Sequence, residues 1–116
     1  MNRGTWCLAV WLLAGASSAA VDKLVVRVTP SVAIGPATVR IRTVAERDAD
    51  NRAMEVVAES ADFYRSSVVQ LDGERAPRTR DFFFNDMPAG EYVIRAALFG
   101  SDGKERASVT RFILIN

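Results

Sequence analysis

From Leu24 to the carboxyl end, apolar residues recur at every second position in short runs, a period that belongs to half-buried β-strands. Leu24, Val26 and Val28 make the first run, which stops at Pro30. Pro36 opens a second, in which Val39 and Ile41 face one way and Thr38, Arg40 and Arg42 the other. After a polar loop at 46–52, Met54, Val56 and Ala58 alternate with Glu55 and Glu59. Further runs follow at 63–71, 80–85, 91–99 and 106–115, with Asp72-Gly73 and Asp102-Gly103 as turn signals between them. In the last run Val109 and Phe112 fall out of phase, which predicts a bulge near Thr110 and Arg111. Seven runs at short, even spacing predict an all-β fold, a seven-stranded antiparallel sandwich. The competing reading is a helical turn within 45–61, where Ala, Glu, Arg and Met are frequent.

The first residues follow a different rule. Arg3 precedes the apolar stretch Trp6–Ala14, and small residues follow to Ala20, with Ser18 and Ala20 placed for cleavage before Val21. This is the pattern of a secretory signal-peptide helix over 1–20, followed by one domain over 21–116. The apolar stretch is too short to span a bilayer, which takes about 20 residues. At Leu13-Ala14-Gly15-Ala16 an alanine stands where a lipid-anchored protein would carry cysteine. The expected destination is therefore the periplasm or the exterior, with no stable membrane span after cleavage. Cleavage would remove Cys7, Trp6, Trp11 and, of the 15 basic residues, only Arg3, leaving 14 basic residues against 14 acidic ones. Such a chain has no disulfide and no global field that would steer it to nucleic acid or anionic lipid.

The stretch Met87-Pro88-Ala89-Gly90-Glu91-Tyr92, running into Val93-Ile94-Arg95-Ala96, resembles the corner that opens strand F of immunoglobulin-like and fibronectin type III-like domains. The resemblance implies a Greek-key sandwich in which Pro88 and Gly90 shape the turn and the Tyr92 hydroxyl bonds back to the backbone upstream. Gly100-Ser101-Asp102-Gly103-Lys104 is similar to the next hairpin of the same domains. The chain from Val21 on resembles small exported bacterial proteins built of one such domain. Transthyretin-like and carboxypeptidase-regulatory-like sandwiches use similar Pro-x-Gly-x-Tyr turns, so both topologies stand at this point.

The chemistry available to the chain is narrow. Histidine is absent, which removes the usual neutral-pH base and the commonest metal ligand. No phosphate-binding or dinucleotide motif is present. Asp48-x-Asp50-Asn51, with Glu59 beyond it, has a calcium-loop outline, but Arg52 and Ala53 stand where that loop needs a ligand and a glycine. A solvated loop is expected there, with no metal and no cofactor. Arg75, Arg78 and Arg80 gather around Pro77, and Arg40 and Arg42 share a strand face. Phe82 and Phe84 point to the core, which turns Phe83 outward, beside Val69 or Val93. Phe83, Arg78 and Arg80 are thus the candidate partner-binding residues, and the terminal run 112–115 is a strand that could augment a neighbouring sheet. The expectation is a non-enzymatic, exported immunoglobulin-like interaction or structural module of the bacterial envelope. Its partner would be another envelope or extracellular protein, and no aromatic ladder points to nucleic acid. The alternatives are a carbohydrate-binding or calcium-dependent adhesive sandwich and a small periplasmic inhibitor.

Overall fold

The computed structural model describes residues 23–116, and in them the alternating runs become eight β-strands arranged in two sheets. β1 (Leu24–Thr29), β3 (Ala37–Ala45) and β6 (Thr79–Met87) form a three-stranded antiparallel sheet with β3 at its centre. β2 (Val32–Ala33), β8 (Glu105–Ile115), β7 (Gly90–Phe99), β4 (Ala53–Glu59) and β5 (Tyr64–Gln70) form a five-stranded sheet in that order. The signal-peptide helix expected over 1–20 lies outside the described residues.

Seven antiparallel strands were expected from the sequence; the eighth is β2, paired parallel to β8 through Val32↔Leu114 and Ala33↔Ile115. Two residues are too few for a period of two to declare itself. What holds them is the partner strand and the flanking bonds from Leu114 N to Ser31 O (2.9 Å) and from Asn116 N to Ala33 O (2.8 Å). The segment after β1 thereby crosses from one sheet to the other.

No helix forms within 45–61. Residues 53–59 lie between β5 and β7, with both backbone edges paired, and that ladder outweighs the helix propensity of the side chains. The only helical feature among the described residues is a 3-10 turn at Gly73–Arg75. The bulge also moves. The β7–β8 ladder keeps register through Arg95↔Thr110, Ile94↔Arg111 and Val93↔Phe112, and shifts only between Leu98 and Phe99, next to the hairpin turn. Val109 therefore packs toward the core while Phe112 faces solvent at 74% exposure.

The core lies between the sheets. Val39 and Ile41 of β3, Phe82 and Phe84 of β6, Met54 and Val56 of β4, and Ile94 and Leu98 of β7 are buried in one cluster. Thr43 shares their face and is fully enclosed; its hydroxyl donates to the Arg80 carbonyl at 3.1 Å, which removes the penalty of burying it. Tyr92 is 1% exposed, and its hydroxyl donates to the Pro88 carbonyl at 2.7 Å. The Tyr92 ring meets Phe63 edge-on, centroids 5.9 Å apart. The Arg65 guanidinium rests 5.1 Å from the Phe63 ring centre and donates to the Asn85 carbonyl at 2.6 Å, so a residue of β5 reaches across to β6.

Two consequences can be measured by thermal or urea denaturation. Tyr92→Phe leaves the Pro88 carbonyl without its donor and should cost about 1–2 kcal/mol. Phe84→Ala should cost about 3–5 kcal/mol, whereas Phe83→Ala, one position along and outside the core, should change stability by less than about 0.5 kcal/mol.

Candidate functional site

One region of the surface breaks the polar-out rule of the five-stranded sheet. In β8 the outward positions are Phe112 and Leu114; β7 sets Val93 opposite Phe112 and Glu91 opposite Leu114, and β2 sets Val32 on the other side of Leu114. The inward neighbours Tyr92 and Ile113 are locked in the core by the same alternation, so the outward apolar residues have no sheet to cover them. Val32 is 61% exposed, with Leu114 and Val93 near 40%. Together with Ser31 and Glu91 these residues line an open cleft of about 760 Å³. Its lining is mostly apolar, and Ser31 and Glu91 are among its polar residues. The cleft was not legible in the sequence because the run 112–115 pointed to an edge that could pair with another sheet, not to an apolar patch on the sheet's outer face. The signal that could have found it is the out-of-phase Phe112.

The residues singled out earlier fall elsewhere. Phe83 is 59% exposed on the outer face of the three-stranded sheet, opposite Arg40 of β3. It is not beside Val69 or Val93, which belong to the other sheet. Arg78 lies on the exposed connection before β6, near Glu46 and Arg47. Arg80 has the parity of Phe82 and Phe84, so it turns inward at the end of the sheet, half-buried, with its Nε enclosed. Phe83, Arg78 and Arg80 therefore do not converge on one surface. A Cβ at Gly90 would meet Ser60 and Tyr92 at 3.4 Å, an ordinary contact, so space does not demand glycine there.

The Asp48–Asn51 loop is a clamp. Asp48 accepts from the Asp50 amide at 2.8 Å and from Arg106 at 2.8 Å. Asp50 accepts from Arg106 at 3.0 Å, from the Ser101 amide at 3.0 Å and from the Ser101 hydroxyl. Both carboxylates are thus committed to an arginine of β8 and to the β7–β8 turn. Gly100 is required by this packing, since a Cβ there would stand 2.6 Å from the Asp50 carboxylate. Asn51 is buried and donates to the Glu46 carbonyl at 2.9 Å.

No protein-family model matches the chain, and no curated protein sequence matches it. Among solved structures it is similar to superoxide reductase (neelaredoxin) from Ignicoccus hospitalis, with a TM-score of 0.65 at 12% identity over 86% of this chain and 85% of that one. A variant of the same protein aligns with a TM-score of 0.66 at 13% identity, covering 87% and 86%. A family 76 glycoside hydrolase from a bovine Bacteroides thetaiotaomicron strain aligns at 0.57 and 10% identity, over 83% of this chain but 21% of that one. At these identities the likeness is one of fold.

This likeness corrects the expected function. A non-enzymatic immunoglobulin-like binding module was inferred partly from the size and class of the fold, and the same fold over nearly the whole length is found in an enzyme. The expectation is therefore withdrawn, together with its adhesive and inhibitory alternatives and the exclusion of catalysis. The chemistry of the neighbours does not transfer with the fold, however. Reducing superoxide is a one-electron step that calls for a redox centre, typically a transition metal held by imidazole or thiolate. The chain has no histidine and its one cysteine, Cys7, lies outside the described residues. Among the described residues no three of His, Cys, Asp and Glu stand together as a ligand set. The residues do not fit such a centre. Nor is any helix among the described residues long and apolar enough to cross a membrane.

The clamp carries a pH dependence. Asp50 is held below its ordinary value near 3.8, first by the Ser101 hydroxyl and amide and then by Arg106. A carboxylate whose folded value is lowered stabilises the fold above its unfolded pKa and loses that contribution as pH falls through the folded one. Asp50→Asn should therefore lower the melting temperature at neutral pH, and the gap to the parent should close as the pH is taken below 3.8.

Proposed function

We propose that the chain is an exported protein whose β7–β8 face binds an apolar small molecule. The observation that carries this is the cleft itself. Its volume of about 760 Å³ and its mostly apolar lining, which includes Ser31 and Glu91, suit a small-molecule site. A buried apolar ligand is favoured because Phe112, Leu114, Val93 and Val32 are already exposed in the free protein, and covering a Phe-sized side chain is worth about 1.5–3 kcal/mol. Glu91 offers a carboxylate to a ligand's donor or cationic end and repels an anionic one. Export rests on the three-part pattern of residues 1–20.

The strand path supports a finer reading of the fold, a Greek-key arrangement of immunoglobulin-like kind within small exported bacterial proteins. β1-β3-β6 faces β2-β8-β7-β4-β5, and the chain changes sheets between β1 and β2. The bond from Tyr92 to Pro88 sits at the turn into β7.

Binding is tested with a fluorescent naphthylamine probe and then by displacement with long-chain amphiphiles. The parent should bind the probe, and a long-chain amine should displace it better than a fatty acid of equal length. Phe112→Asp should weaken probe binding by roughly tenfold or more while leaving the melting temperature in place. Equal binding by the variant would defeat the reading.

A further inference from the structure

We infer that the opposite face of the sandwich, the outer side of the three-stranded sheet, docks on an anionic lipid surface. The near-balance of charge over the whole chain conceals how unevenly that charge is placed. The charged residues at outward strand positions of this sheet are Arg27, Arg40, Arg42 and Asp81, with Asp86 at the bulged end of β6, so cations outnumber carboxylates by three to two. Arg27 stands directly across from Arg42 in the β1–β3 ladder. Like charges so placed repel. Asp81 answers only part of this. It takes a two-pronged bond from Arg42, at 2.8 and 2.9 Å, and Arg40 is near enough to help hold its carboxyl below the usual range. Among the described residues Arg27 and Arg40 have no carboxylate within ion-pair distance.

The second component is apolar. Phe83 lies opposite Arg40, and Val25 sits on the same face of β1, two positions from Arg27; both side chains are exposed. Arginines that share a sheet face with an uncovered phenylalanine, one of them directly beside it, complement a bilayer interface. The cations meet the phosphates of the headgroups and the ring enters the boundary with the acyl chains. Charge complementarity selects the lipid surface over an apolar partner, which would leave Arg27 and Arg40 buried without counter-ions. The apolar cleft of the other sheet would then open away from the membrane, and neither site depends on the other.

The test is vesicle sedimentation with the purified protein, comparing equal mixtures of phosphatidylglycerol and phosphatidylcholine with phosphatidylcholine alone. Binding is expected only to the anionic vesicles and should fade as salt is raised. Arg27→Gln and Arg40→Gln should each weaken it roughly fivefold, and Phe83→Ser roughly tenfold. Arg95→Gln, on the opposite face, should leave it unchanged. Melting temperatures of the variants, all altered at outward positions, verify that they remain folded. Failure to bind anionic vesicles would overturn the proposal, as would binding that survives loss of both arginines. Stabilisation by soluble inositol hexakisphosphate without vesicle binding would make the face a site for a free anion. A loss on removing the arginines that Phe83→Ser does not share would refute insertion.

Discussion

Both surfaces described above are set by one constraint, the burial of alternate residues of β3 and β7 against each other's sheet. Val39 and Ile41 on one side and Ile94 and Leu98 on the other belong to a single buried cluster. A slip of one residue in either strand would send that whole set into water, so the register has no low-energy alternative. Once those four positions are inside, every other outward position follows. Arg40 and Arg42 must face solvent because Val39 and Ile41 do not, and Val93 must do so because Tyr92 and Ile94 do not.

The same constraint explains why the polar interactions lie at the ends and edges. Tyr92 brings a hydroxyl into the core and finds the Pro88 carbonyl at the turn, while Thr43 finds the Arg80 carbonyl beside it. Arg65 crosses from β5 to β6, and Arg106 gathers Asp48 and Asp50 against the β7–β8 turn. The Arg65 bond ties one sheet to the other, and the Arg106 bonds hold the 46–52 loop to the five-stranded sheet. Their carboxylates are occupied by arginines, so a loop with the outline of a cation site serves instead as a brace.

Much of the strand plan was legible in the sequence, because period-two alternation reports burial directly. Phe82, Phe83 and Phe84 alternate in, out and in. Other features depended on partners remote in sequence. The parallel pairing of Val32–Ala33 exists only because Leu114 and Ile115 arrive beside it. Residues 53–59 are extended because they are flanked on both sides, although their composition favours a helix. The cleft was missed because a run of apolar residues at a chain end does not say which of them a second sheet will cover. The reading of function failed for a different reason: a fold of this class serves enzymes as readily as binding domains, so class alone could not decide between them.

The sequence by itself determined the all-β character, the places of the main turns and the absence of histidine. Each is a local or compositional property, set by residue type and spacing. The tertiary structure decided which residues share a surface. Cross-strand pairing sets Arg27 beside Arg42, and Phe112 beside Val93, across intervals in the chain that no local pattern encodes. The chain's outward chemistry therefore arises from register, which is settled only when the two sheets close on their core.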